Sequence, residues 1–132
     1  MAFDKNFKPV LRFTVVSDVH YKDEDSVERA RMKKAVETSY ALSEKEEYSR
    51  LDALYVVGDF ANSGTEAQML AFKATLDETL KGDTKTVLSL ASHEFFAGEE
   101  IALERFKRIF SQYPDLHEVI NGYHFISVIC TN

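Results

Sequence analysis

Leu11-Arg12-Phe13-Thr14-Val15-Val16-Ser17-Asp18-Val19-His20 is the stretch whose reading sets the fold. Its first half is apolar and β-branched, too short for a helix and suited to a buried strand. Its second half turns polar and offers a carboxylate and an imidazole two residues apart. The arrangement recurs twice downstream. Leu51 to Val57 runs into Gly58-Asp59-Phe60-Ala61-Asn62-Ser63-Gly64, and Thr84 to Ala91 runs into Ser92-His93-Glu94. In open α/β sheets the carboxyl ends of parallel strands gather along one edge, and ligands bind in the crevice there. Two carboxylates and two imidazoles at that edge predict a metal-binding, hydrolytic type of site.

The segments between these runs have helical character. Asp25-Ser26-Val27-Glu28 offers a capping box. Met32, Ala35, Val36, Ser39 and Tyr40 then form one small apolar face of a helix that fades near Tyr48. The Glu, Lys and Arg residues around that face read as a solvated surface. Thr65-Glu66-Ala67-Gln68 repeats the capping pattern, Met69, Phe72, Leu76 and Leu80 follow at helical spacing, and Gly82 is the expected stop. A third helix from about Glu99 to Gln112 is expected to bury Leu103, Phe106, Phe110 and Tyr113 before Pro114 ends it. Asn121-Gly122 parts the runs Glu118 to Ile120 and Tyr123 to Cys130, which signals a hairpin, because a type I′ turn needs positive φ at both central residues. The order predicts a layered α/β fold with a largely parallel sheet and a C-terminal β-hairpin.

Bulk properties limit the function classes. A chain of 132 residues makes one domain with a core of its own. Its 45% hydrophobic and 29% charged residues are globular composition. A net charge of −6 repels nucleic acid, so no nucleic-acid partner is expected. Cys130 is alone and fits a reducing compartment. Met1 to Lys8 lacks an apolar signal segment, and no run reaches membrane-spanning length, so the expectation is a cytoplasmic protein with no membrane partner.

Each loop group has a bland reading when taken singly. Asp18 fits a solvated loop and His20 a hydrogen-bonding imidazole. Asp59 fits a turn cap, and Gly58 and Gly64 fit tight bends. His93 alone is an ordinary surface imidazole. Tyr21, Asn62, Phe95 and Phe96 suit either the rim of a site or the core. Their joint arrival at three strand ends is what needs an explanation.

Asp18-Val19-His20, Gly58-Asp59 and Ser92-His93-Glu94, each after a strand, resemble the opening motifs of the calcineurin-like metallophosphoesterases: Asp-x-His, Gly-Asp and Asn-His-Asp/Glu. The resemblance spans nearly the whole chain and implies the N-terminal half of that family's four-layer sandwich. It implies that Asp18 and His20 bind a first metal and that Asp59 bridges to a second. It also implies that His93 contacts the phosphoryl oxygen or protonates the leaving alcohol. The implied reaction is metal-dependent hydrolysis of a phosphomonoester or phosphodiester, with manganese, iron or zinc as cofactor and a phosphorylated small molecule as substrate. The implied domain covers 1–132 and is truncated.

Two departures bear on activity. Ser92 stands where the family has an asparagine ligand of the second metal, and a hydroxyl is a shorter, poorer donor than an amide oxygen. The family's later histidines, one isolated and two in Gly-His-x-His, have no counterpart, since His117 and His124 do not form that pattern. The expectation is one weakly held metal at most and little turnover. The alternatives are a non-catalytic protein-binding domain on the same fold and an unrelated α/β binding domain with an accidental Asp-x-His. Exposed apolar residues of the final strand (Phe125, Ile126, Val128, Ile129) lead to the expectation of a homo-oligomer formed through a sheet face or edge.

Overall fold

The computed structural model describes residues 6–22 and 25–129, so the expectations on Met1 to Lys5 and on Cys130 lie outside the described part. The fold is mixed α/β. Strands β1 (Phe13–Val16), β2 (Ala53–Val57) and β3 (Lys85–Ser89) form a parallel sheet in the order β1-β2-β3. Helices α1 (Val27–Ser43) and α2 (Glu66–Thr79) cross between them, and α3 (Glu99–Phe110) follows. Strands β4 (Leu116–Ile120) and β5 (Tyr123–Ser127) pair antiparallel as a separate two-stranded sheet. Asn121 at φ 52° and Gly122 at φ 82° make the positive-φ turn that the Asn-Gly pair predicts.

Alternation along the strands divides the core in two. Leu54, Val56 and Leu88 face the helices and pack with Met32, Val36, Met69, Phe72, Leu76, Phe106 and Phe110. Ala53 and Val87 face the other way and meet Ile120 and Phe125 of the hairpin. Phe125 lies edge-on to Phe13 at 5.2 Å and to Tyr55 at 6.2 Å. So Phe125 and Ile129 pack inward, while Ile126 and Val128 face solvent. The hairpin covers the sheet only in part, leaving Phe13, Val15 and Val57 exposed on that face.

Local chemistry shifts several element ends from the sequence reading. The α1 cap is Ser26 rather than Asp25, with the Ser26 hydroxyl accepting from the Arg29 N–H at 3.3 Å. The helix stops at Ser43, not near Tyr48, because Arg12 donates to the Ser43 and Tyr48 carbonyls and the Tyr48 hydroxyl donates to the buried Asp52 carboxylate. Thr65 caps α2 as expected, but Gln68 accepts from Ser63 N–H at 2.8 Å instead of closing on Thr65. Gly82 does not end α2. Leu80 leaves the helix in an extended conformation, and the Lys81 N–H donates to the Tyr40 hydroxyl at 2.8 Å. Tyr113 is exposed, contrary to expectation: Ser111 turns left-handed at φ 55° after α3. Gln112 then pairs the free edge of β3, its amide donating to Thr86 O at 3.0 Å and accepting from Leu88 N–H at 3.2 Å. Among the described residues, no helix is long and apolar enough to cross a membrane.

Candidate metal centre

The pairing of β1 with β2 does not stop at the strand ends. His20 N–H donates to Asp59 O at 3.0 Å, Tyr21 N–H to Phe60 O at 2.7 Å, and Asn62 N–H to Tyr21 O at 3.0 Å. Tyr21 and Phe60 anchor this extension as fully buried rings. The Tyr21 hydroxyl shares a 2.6 Å hydrogen bond with Thr75, and Phe60 stacks on Phe72 at 4.9 Å. Held between these anchors, Asp18, His20 and Asp59 take left-handed backbone conformations, with φ of 52°, 50° and 46°. Such residues are uncommon, cost free energy, and cluster at functional sites. An extended Asp-x-His, with both side chains on one side by strand alternation, is therefore not what forms; the two left-handed residues set the directions instead.

The result is a convergence of side chains. One nitrogen each of His20 and His93 and one carboxylate oxygen of Asp59 lie within 4.8 Å of one another, a group able to hold a metal ion. The His20 and His93 rings meet edge to face at 4.4 Å. Asp18 is not in this group but stands at its rim, Oδ1 3.8 Å from His20 Nε2, with 66% of its side chain exposed. Ser92 Oγ reaches the Asp59 carboxylate only at 3.4 and 3.5 Å, the outer limit of a hydrogen bond.

Surrounding groups fix the donors. His93 N–H donates to Asp59 Oδ1 at 2.8 Å, which orients that carboxylate. His93 Nδ1 lies 2.6 Å from the Asn62 carbonyl oxygen. A carbonyl only accepts, so Nδ1 carries the proton and the lone pair resides on Nε2. Metal-ligating histidines are held in this way, by a backbone acceptor on the second nitrogen.

The residue that joins the loops is Glu94, which opens a 3-10 turn, Glu94–Ala97, that the sequence pattern did not reveal. Its side chain is fully buried, and its carboxylate accepts from Asp59 N–H at 2.9 Å, Ala61 N–H at 2.8 Å and Ala91 N–H at 2.9 Å. Burial pushes the carboxyl above its ordinary range, and the three N–H donors oppose that rise. Glu94 thus ties the end of β3 to the end of β2. Gly64 completes the fit: at φ +60°, a Cβ there would lie 2.5 Å from Glu94 O and 2.7 Å from His93 O. Gly64→Ala is expected to push this segment away and cost at least about 2 kcal/mol. A thermal melt should read that as a fall of roughly 5–10 °C.

The remaining loop residues divide. Tyr21 belongs to the core, and Phe95 is partly buried against it. Asn62 contributes its carbonyl, and the exposed Phe96 ring lies 4.6 Å from His93. His117 and His124 pair with each other on the hairpin and take no part in the group. No family model, curated protein or solved structure matches the chain.

Proposed function

We propose that this chain is a metallophosphoesterase-type hydrolase domain that binds one divalent transition-metal ion at the strand ends and cleaves activated phosphoesters. The observation that carries the reading is the set of three left-handed candidate ligands beside two adjacent parallel strands, closed by His93 from the third. The alternation of parallel strands and helices that brings three strand ends to one edge supports the reading. The donor chemistry fits: two imidazoles and a carboxylate suit manganese, iron or zinc better than calcium. Three protein donors also leave a position open, as catalytic rather than structural metal sites do. The ion would supply Lewis-acid polarisation of a phosphoryl oxygen and a lowered pKa for a bound water.

In this reading His20, Asp59 and the Nε2 of His93 hold the ion, and Asp18 stands at the rim beside His20. Asn62 keeps the Nδ1 proton of His93 in place, which commits Nε2 to the site. With His93 among the donors, no imidazole is left to protonate a leaving alcohol. Esters with good leaving groups are then the expected substrates. With manganese, the chain should cleave bis-p-nitrophenyl phosphate, fail on a dialkyl phosphate, and lose the first activity in Asp59→Asn. Equal rates with and without metal would refute the hydrolase reading.

Ser92 favours a second reading, a non-catalytic domain on the same fold. At 3.4 Å from Asp59, its hydroxyl gives a second ion little to bind. A chain that binds manganese yet cleaves no aryl phosphodiester would select this reading.

A further inference from the structure

Phe96 stands at the rim of the strand-end site with 63% of its surface exposed. Its neighbours in the same turn are used by the fold: Glu94 is buried on three backbone N–H groups, and Phe95 packs against the core. Phe96 N–H donates to His93 O at 3.4 Å and Gly98 N–H to Phe95 O at 2.9 Å, so backbone hydrogen bonds hold the turn on either side of the ring. The ring lies against the His93 imidazole, with centroids 4.6 Å apart and planes at 34°. His93 Nδ1 is occupied by Asn62 O, which leaves Nε2 for the group formed with His20 and Asp59. Phe96 therefore flanks the place where a ligand of that group sits. A single exposed aromatic side chain needs no explanation by itself. This one is held beside a candidate metal ligand with most of its surface open.

We propose, building on the metal reading of that site, that it takes aryl phosphoesters, with the aryl group stacked on the Phe96 ring. Two properties of the site converge on this class. The first is the ring. Aromatic pairs attract by about 2- to 10-fold in affinity beyond their area burial, and stacking also withdraws both rings from water. The second is proton supply. His93 and His20 both belong to the metal group, so neither imidazole is free to protonate a leaving oxygen. A phenol ionises near pH 10, as tyrosine does, whereas an aliphatic hydroxyl is closer to water at about 15.7. An aryl oxygen can therefore depart without a proton donor. Water supplies the oxygen that bonds to phosphorus, and the P–O bond to the aryl group breaks. The phenolate leaves with that electron pair and is protonated in solvent.

The surrounding side chains favour the same ligand. Lys22, which follows the first loop, pairs with Glu28 at 3.7 Å, and Arg105 donates to Gly64 O at 3.0 Å. With these cations engaged elsewhere, recognition of the ester's organic part falls to Phe96. Its ring offers no hydrogen bond, so it favours an apolar aryl group over a sugar or an amino alcohol.

Non-hydrolysable probes test this without turnover. Calorimetry of the manganese-loaded chain compares diphenylphosphinate with dimethylphosphinate, two monoanions with the same phosphorus head. Diphenylphosphinate should bind at least about 10-fold more tightly, since stacking and burial act together. Phe96→Ala, at an exposed position, should keep the circular dichroism spectrum and the affinities for manganese and dimethylphosphinate. It should cut the preference for the diphenyl probe at least about five-fold, and Phe96→Tyr should retain that preference. Equal affinities in the parent, a preference that survives Phe96→Ala, or no phosphinate binding by the manganese-loaded chain would overturn the proposal. Selective binding without cleavage of bis-p-nitrophenyl phosphate would keep it and refute the hydrolase reading alone. Cleavage with an unchanged KM in Phe96→Ala would refute the role of Phe96 alone.

Discussion

Glu94→Gln, the most conservative change available, is expected to lower stability by about 2–4 kcal/mol and to abolish metal binding. The carboxylate offers only acceptors, and three backbone N–H groups use them. An amide must present its own NH2 to at least one of these donors, placing N–H against N–H in a buried position. Glu94→Leu leaves all three donors without partners and should cost on the order of 3–6 kcal/mol, a large share of a domain's stability. Denaturant titration reads the loss, and calorimetry with manganese reads the site. A Glu94→Gln protein with unchanged midpoint and affinity would show that the loops hold their geometry without the carboxylate. The surface ion pairs give a useful contrast. Arg29 and Lys33 to Glu78 link α1 with α2 at 2.8 Å, yet exposed pairs of this kind contribute about 0–1 kcal/mol each.

Asp59→Asn should act in the opposite way, sparing the fold and disabling the site. Asparagine tolerates left-handed backbone as well as aspartate does, and its side-chain oxygen can still accept from His93 N–H. Stability should stay within about 1 kcal/mol of the parent. Metal affinity should fall at least about 100-fold, since loss of a partner that merely orients a ligand already costs 10–100-fold. His20→Asn, at φ 50°, is matched in the same way and should show the same division between fold and affinity. Manganese binding that survives Asp59→Asn would place the ion elsewhere.

Much of this architecture was legible in the sequence because it rests on local rules. Thr65 and the Asn121-Gly122 turn follow from capping and turn chemistry, and Met69, Phe72 and Leu76 follow from helical spacing. The convergence of His20, Asp59 and His93 was legible from topology, since parallel strands deliver their ends to one edge. What stayed hidden depends on contacts distant in sequence. The early end of α1 is set by Arg12, and the exposure of Tyr113 by the left-handed Ser111 and the diversion of Gln112 to β3. The role of Glu94 was hidden for the same reason: a residue beside His93 reads as part of a motif, whereas its three partners lie at the ends of two strands. Left-handed backbone at Asp18, His20 and Asp59 leaves no periodic trace, although their residue types permit it.

Anomalous diffraction from manganese-loaded crystals tests the central claim most directly. Strand ends that form one metal site predict a single strong peak at these loops, within bonding distance of His20, Asp59 and His93. A crystal showing no peak there, or two fully occupied ions bridged by Asp59, would contradict it.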